Sequence, residues 1–166
     1  MEALYRLMVA NIFHSMSPTE KILSKLPYSK PFRFVDQIHA VEETGITGSY
    51  HLHKEHDFYK GHFTDYPITP GVILTEIMTQ IGLVCLGIFL TEGQAAEKPF
   101  PFVLCETNIA FHKPVYPDET VTVTSEKIYF RFGKLKCKVS MKDKSGEIVC
   151  DGTIAGIQIK EQYAAS

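Results

Sequence analysis

The stretch from Thr69 to Leu90 constrains this chain more than any other. Residues 81–90 form an unbroken apolar run, and residues 72–78 extend it toward a length that resembles a membrane span. Glu76 and Gln80 interrupt it, so the continuous apolar part falls short of the ~20 residues needed to cross a bilayer. Thr69 can cap a helix with Pro70 at its first position, and Gly93 offers a stop. A helix of about 21 residues is a rod of roughly 32 Å. At about 100° per residue, Thr75, Glu76, Thr79 and Gln80 share an arc of roughly 140°, and almost everything else on the rod is apolar. Such a helix must be buried nearly all round, with one polar stripe.

The rest of the chain supplies what could bury it. Residues 32–38 and 46–53 read as two strands joined by a turn at Glu42-Glu43-Thr44-Gly45. After the helix come four further runs, at residues 102–111, 120–132, 134–142 and 147–160, with turns at Gly133 and at Asp143-Lys144-Ser145-Gly146. In the run 134–142, Leu135, Cys137, Val139 and Met141 alternate with Lys134, Lys136, Lys138 and Ser140, so one face is apolar. One long buried helix and five or six antiparallel strands define an α+β domain in which a curved sheet wraps the helix. The 166 residues, 45% hydrophobic and 22% charged, suit one such domain. Ser17-Pro18-Thr19-Glu20 has the form of a capping box and predicts a short helix from Pro18 to about Lys25. The expected domain is therefore 17–166, preceded by an N-terminal extension, 1–16. That extension is either a helix of its own or an over-long start with Met16 as the true one.

Several function classes drop out. A net charge of −2 gives no bulk attraction to nucleic acid or to an anionic membrane. Cys85, Cys105, Cys137 and Cys150 form no C-x-x-C pair and read as reduced core residues. Glu2 and Arg6 beside the short apolar run 7–13 lack the order of a secretion leader, so the expected location is cytoplasmic.

Chemistry concentrates between Gly61 and Gln80. A loop histidine, His62, precedes a helix start at Pro70-Gly71, and a carboxylate, Glu76, follows inside the apolar helix. A loop histidine alone is ordinary. A carboxylate in an apolar helix is costly unless it is paired, hydrated or functional. Free N–H groups at a helix start favour developing negative charge. Together the parts match a β-elimination: a base takes the proton beside a thioester carbonyl, helix-end N–H groups hold the enolate-like oxygen, and an acid protonates the departing hydroxyl. Histidine suits the base near neutral pH, and an apolar setting would keep Glu76 protonated as the acid.

Gly61-His62-Phe63, Pro67, Pro70-Gly71-Val72, Glu76, Met78 and Gln80 resemble the central signature of FabZ-type (3R)-hydroxyacyl-[acyl-carrier-protein] dehydratases. The resemblance extends upstream through Leu26-Pro27-Tyr28-Ser29-Lys30-Pro31-Phe32-Arg33-Phe34-Val35-Asp36 and downstream through Phe111-His112-Lys113-Pro114-Val115 and Pro117-Asp118, covering residues 17–159 in order. It implies a hotdog fold and a homodimer or trimer of dimers. Active sites would lie at the dimer interface, with the histidine of one subunit facing the glutamate of the other. It also implies dehydration of a 3-hydroxyacyl group on acyl carrier protein to the trans-2-enoyl thioester, with no metal or organic cofactor. His62 would be the base, Glu76 the acid and the Gly71 N–H the carbonyl contact, with Phe63, Pro70, Val72 and Gln80 also in the substrate site. Gln80 either orients Glu76 or is only the next residue of the polar stripe. Glutamate at position 76, where the dehydratase–isomerase type carries aspartate, favours dehydration without isomerisation. The chain departs from the family between His62 and Pro70: where the family usually reads Pro-Gly-His-Pro-Val-Met, it has Thr64-Asp65-Tyr66-Pro67-Ile68-Thr69. Fatty-acid synthesis and a specialised polyene or pigment pathway both remain open on this basis.

Three other readings compete. A hotdog acyl thioesterase would use the same helix end to activate a carbonyl for water. His51, His53, His56 and His62 crowd one region and raise metal binding, though without the usual cysteine or carboxylate spacing. Lys134, Lys136 and Lys138 form a basic row that would suit a non-catalytic subunit binding an acidic carrier protein, although such a face is usually only solvated.

Overall fold

The computed structural model describes residues 1, 16–92 and 101–159. Helix α1 (Pro18–Ser24) starts at the expected capping box: Glu20 N–H donates to Ser17 Oγ at 3.3 Å, and Ser17 N–H donates back to Glu20 Oε2 at 2.8 Å. Strands β1 (Gln37–Glu42) and β2 (Gly45–His51) form a hairpin. The long helix α2 (Gly71–Leu90) follows, then β3 (Phe102–Phe111), β4 (Thr120–Arg131), β5 (Lys134–Lys142) and β6 (Ile148–Gln158). The six strands make one antiparallel sheet in the order β1-β2-β4-β5-β6-β3. Register shifts in all but the β2–β4 pairing mark bulges, which bend strands and help the sheet curve around α2.

By length and composition α2 could cross a membrane, but 72% of its most apolar window is buried inside the protein. Ile77, Met78, Ile81, Leu83 and Leu86 are fully covered, and the alternating face Leu135, Cys137, Val139 and Met141 of β5 lies in the same core. Close approach needs small residues: a Cβ at Gly156 would stand 2.7 Å from the Leu83 side chain, and one at Gly82 would stand 3.0 Å from Ser125 Cβ. The helix is α-helical at residues 71–79 and 86–90, with a wider π segment at Gln80–Cys85 between them. Within that segment the Gly82 carbonyl accepts a hydrogen bond from Ser125 Oγ of β4 at 2.7 Å.

Several boundaries differ from expectation. Residues 32–36 are not strand, because the Phe34 N–H and Phe32 carbonyl are taken by the Gln80 side chain. β2 stops at His51, after which Leu52 N–H turns to the Glu119 carbonyl at 2.8 Å. Thr69 does not cap α2: Pro70 occupies the cap position, and Thr69 Oγ1 bonds Tyr59 Oη at 2.6 Å instead. Phe132 and Gly133, at φ 52 and 75, make the turn between β4 and β5. Cys85, Cys137 and Cys150 are buried, and burial pushes all three thiols up; Cys105 is exposed on edge strand β3. The expected stop at Gly93, the extension 1–16 except for its two end residues, and the strand end at Lys160 lie outside the described residues.

The Ser125–Gly82 bond joins helix to sheet in a fully dry place, where a carbonyl without a donor costs about 1–3 kcal/mol. Ser125→Ala is expected to lower stability by that amount, read as a lower urea midpoint at unchanged slope.

Candidate active site

The loop carrying His62 follows a 3₁₀ turn at Asp57–Lys60. His62 N–H donates to the Phe58 carbonyl at 2.9 Å, and the ring Nδ1 lies 2.9 Å from the Ile68 carbonyl. A carbonyl only accepts, so Nδ1 carries the hydrogen and the neutral ring keeps its lone pair on Nε2. The imidazole stacks on Phe63, with centroids 4.1 Å apart and planes at 25°. Phe63 itself is 55% exposed.

At the start of α2, Ile73 and Leu74 N–H groups close on the Pro70 carbonyl. The N–H groups of Gly71 and Val72 have no acceptor among the described residues and point out of the helix end, as the first donors of any helix do. Two open cavities, of about 360 and 500 Å³, meet here, and Gly71 and Phe111 line both. A Cβ at Gly71 would stand 3.2 Å from the Phe111 ring. Pro70 is buried, whereas Val72 is 76% exposed and projects from the helix start.

One turn further on, Glu76 is half-buried. Gln80 Nε2 donates to its Oε1 at 2.8 Å, donates also to the Phe32 carbonyl at 2.8 Å, and Gln80 Oε1 accepts from Phe34 N–H at 2.8 Å. The amide thus ties α2 to residues 32–34 and fixes one carboxylate oxygen, so orientation of Glu76 is the reading the geometry favours. Burial pushes the Glu76 carboxyl up, and the Gln80 bond offsets only part of that. Tyr28 stands close enough that its phenol is pushed up to about 12, by burial first and by Glu76 second.

Helix position and loop position therefore bring Gly71, Val72 and Pro70 together, and Glu76 with Gln80. His62 with Phe63 forms a separate group: no hydrogen bond or ion pair joins His62 to Glu76 among the described residues. The contributions of Tyr28 and Phe111 were not legible in sequence, since each reaches the site across more than thirty residues. The clustered histidines do not form a ligand set. His56 Nε2 bonds Tyr50 Oη at 2.7 Å, His51 Nδ1 bonds Thr120 Oγ1 at 3.0 Å, and no group of three or more His, Cys, Asp or Glu among the described residues could hold a metal. The basic row is also partly spent: Lys134 and Lys136 both pair with Glu106 on β3, Lys136 directly across the small Ala155 of β6.

The family described as "FabA-like domain" matches residues 26–156. A protein of Clostridium perfringens named 3-hydroxyacyl-[acyl-carrier-protein] dehydratase FabZ is 31% identical over 84% of this chain and 96% of its own length. One of the same name from Caldicellulosiruptor bescii is 35% identical over 81% and 94%. Among solved structures, the dehydratase heterocomplex ApeI:P of Xenorhabdus doucetiae aligns at a TM-score of 0.71, with 9% identity over 86% of this chain and 93% of that one. The PaaI protein of Escherichia coli aligns at 0.55, with 10% identity over 75% and 79%. At such identities the structures speak for the shared hotdog fold alone.

The raised carboxyl of Glu76 has a consequence for stability. A group whose folded pKa exceeds its ordinary 4.5 favours the folded chain below that value, and the benefit is lost as pH rises through the folded value. Glu76→Gln, neutral at every pH, is expected to raise the denaturant midpoint over wild type at pH 7, with the gain shrinking toward pH 4.

Proposed function

The chain belongs to the FabA-like domain family, and on that premise we propose that it removes water from (3R)-3-hydroxyacyl groups carried on acyl carrier protein, giving the trans-2-enoyl thioester. The observation that carries the reading is the pairing of opposite environments within one motif. His62 keeps a bare Nε2 on an accessible loop, and Glu76 is held toward its protonated form in a half-buried one.

The reaction divides among these residues as follows. The thioester oxygen sits at the Gly71 N–H, which stabilises the charge that develops on it. His62 Nε2 removes a proton from C2, and the electrons of that bond form the C2–C3 double bond as the C3–O bond breaks. Glu76 gives its proton to the leaving hydroxyl, directly or through a water, so the products are the enoyl thioester and one water. The imidazolium and carboxylate left behind return to their starting states by net transfer of one proton from His62 to Glu76. Gln80 holds the carboxyl in line, and Phe63, Pro70 and Val72 border the acyl group.

No hydrogen bond or ion pair joins His62 to Glu76 among the described residues, and the working unit we propose is a homodimer, alone or as part of a trimer of dimers, with each site taking His62 from one copy and Glu76 from the other. Edge strand β3 supports that arrangement. It pairs with no strand on its outer side among the described residues, Val103 and Phe111 are exposed on it, and Phe111 lines the same cavities as Gly71 at the helix start. A long edge strand with exposed apolar side chains at both ends is suited to pairing with a second copy.

Mass spectrometry of (3R)-hydroxyacyl carrier protein incubated with the enzyme tests the assignment. Wild type is expected to remove the mass of one water with the thioester intact. His62→Ala and Glu76→Gln are each expected to lose on the order of 10²- to 10⁴-fold in rate. Release of free acid, or full activity in both variants, would sink it.

A further inference from the structure

The tip of the loop that bears His62, residues 63–67, is exposed throughout. Its root is well held: Tyr59 Oη meets Thr69 Oγ1, and Thr69 N–H donates to the Val115 carbonyl at 2.8 Å. The tip closes mainly on itself. Phe63 N–H donates to the Tyr66 carbonyl and Tyr66 N–H to the Phe63 carbonyl, each at 3.1 Å, and Ile68 N–H donates to the His62 carbonyl at 3.0 Å. Among the described residues, one hydrogen bond links this tip to another segment, between the Tyr66 and Tyr116 hydroxyls at 3.2 Å. The two rings meet edge-on, with centroids 6.1 Å apart and planes at 88°. Tyr116 is anchored through its backbone: its N–H donates to Glu119 Oε2 at 2.9 Å, and two residues on the Asp118 N–H donates to the Leu52 carbonyl at 2.7 Å.

We propose that Tyr66 and Tyr116 form a clamp that positions the tip of this loop and, through Phe63, the His62 ring. The inference rests on the dehydratase reading for its catalytic half. Transmission is short. Tyr66 is tied to Phe63 by two backbone bonds, and Phe63 stacks on the imidazole whose Nδ1 is already fixed by Ile68. A restraint at the tyrosine hydroxyl therefore limits the swing of the ring that must present Nε2 to C2. Tyr66 lies within the six residues where this chain departs from the usual FabZ pattern, at the position where that pattern has a histidine. Tyr66 and Tyr116 are positioning residues, not groups that touch the reacting atoms.

Tyr66→Phe and Tyr116→Phe each delete one hydroxyl and keep the ring. The test compares both, and the double variant, by amide hydrogen exchange over residues 62–69, by thermal melting and by steady-state dehydration. Each single variant is expected to exchange faster at the Phe63 and Tyr66 amides and to lose roughly three- to tenfold in kcat, with KM within about twofold and the melting temperature unmoved. The double variant is expected to be no worse than either single, because both remove one bond. Unchanged exchange, unchanged kcat, a loss confined to KM, or losses that multiply in the double variant would overturn the clamp. If wild type itself fails to dehydrate the substrate, the functional reading fails instead, and hydrogen exchange alone then decides whether the clamp exists.

Discussion

The buried amide of Gln80 is the interaction on which the rest of the structure turns. Its oxygen and both of its N–H groups are used, two bonds going to the backbone of residues 32–34 and one to Glu76. Inside a core an unsatisfied amide is expensive, so a group with every bond made defines one arrangement and penalises its neighbours. That arrangement fixes the rotation of α2 about its axis. It also explains why a segment rich in strand-forming residues, Phe32 to Val35, is held beside the helix and joins the sheet only from Gln37 onward. The same amide determines which way Glu76 faces. Packing and chemistry thus share one side chain, at the point where α2 widens into its π segment.

A helix wrapped by a single sheet leaves one consequence unresolved within the chain. The sheet ends at β1 on one side and β3 on the other, and β3 is long and exposes apolar side chains. The helix start, whose Gly71 and Val72 N–H groups have no acceptor among the described residues, opens beside that edge, where Gly71 and Phe111 line one cavity. An exposed sheet edge and a helix start suited to developing negative charge therefore lie side by side. A second copy seated on the edge would cover apolar surface and enclose the helix end in one step, lowering the local dielectric where an oxyanion must be held.

Much of this was legible in the sequence because it rests on periodicity. The alternation in β5, the capping box before α1, the runs that became β3 to β6 and the apolar rod of α2 are local patterns with local physical causes. What was misread depended on a distant partner. Thr69 has the right residue type for a cap, but Tyr59 claims its hydroxyl. Residues 32–36 have strand character, but Gln80, 46 to 48 positions away, claims their backbone. Lys134 and Lys136 look like a free basic face until Glu106 reaches them across β6. In the site, His62 and Glu76 were visible as residue types. The tautomer of His62, the Gln80 bonds, Tyr28 beside the carboxyl and the Tyr66–Tyr116 pair all needed coordinates, because each is a contact between segments with no shared pattern.

The two catalytic candidates are supported by different kinds of structure, and this decides how each can vary. Glu76 and Gln80 sit on a helix whose greater part lies in the core, where a change of volume or polarity is felt through the packing. His62 sits on a loop whose tip is exposed and whose restraints are a handful of hydrogen bonds. A chain adapting to a different acyl group can rebuild the loop at little cost in stability, provided the imidazole keeps its Nδ1 bond and stays aimed. Replacing the usual loop sequence with Thr64 to Thr69 meets that condition. The Ile68 carbonyl still fixes the tautomer, and the tyrosine pair supplies a brace for the altered tip. The proposed acid is thus set by the fold, whereas the proposed base is set by the loop. Divergence in substrate preference is physically cheapest on the side of the site that carries His62.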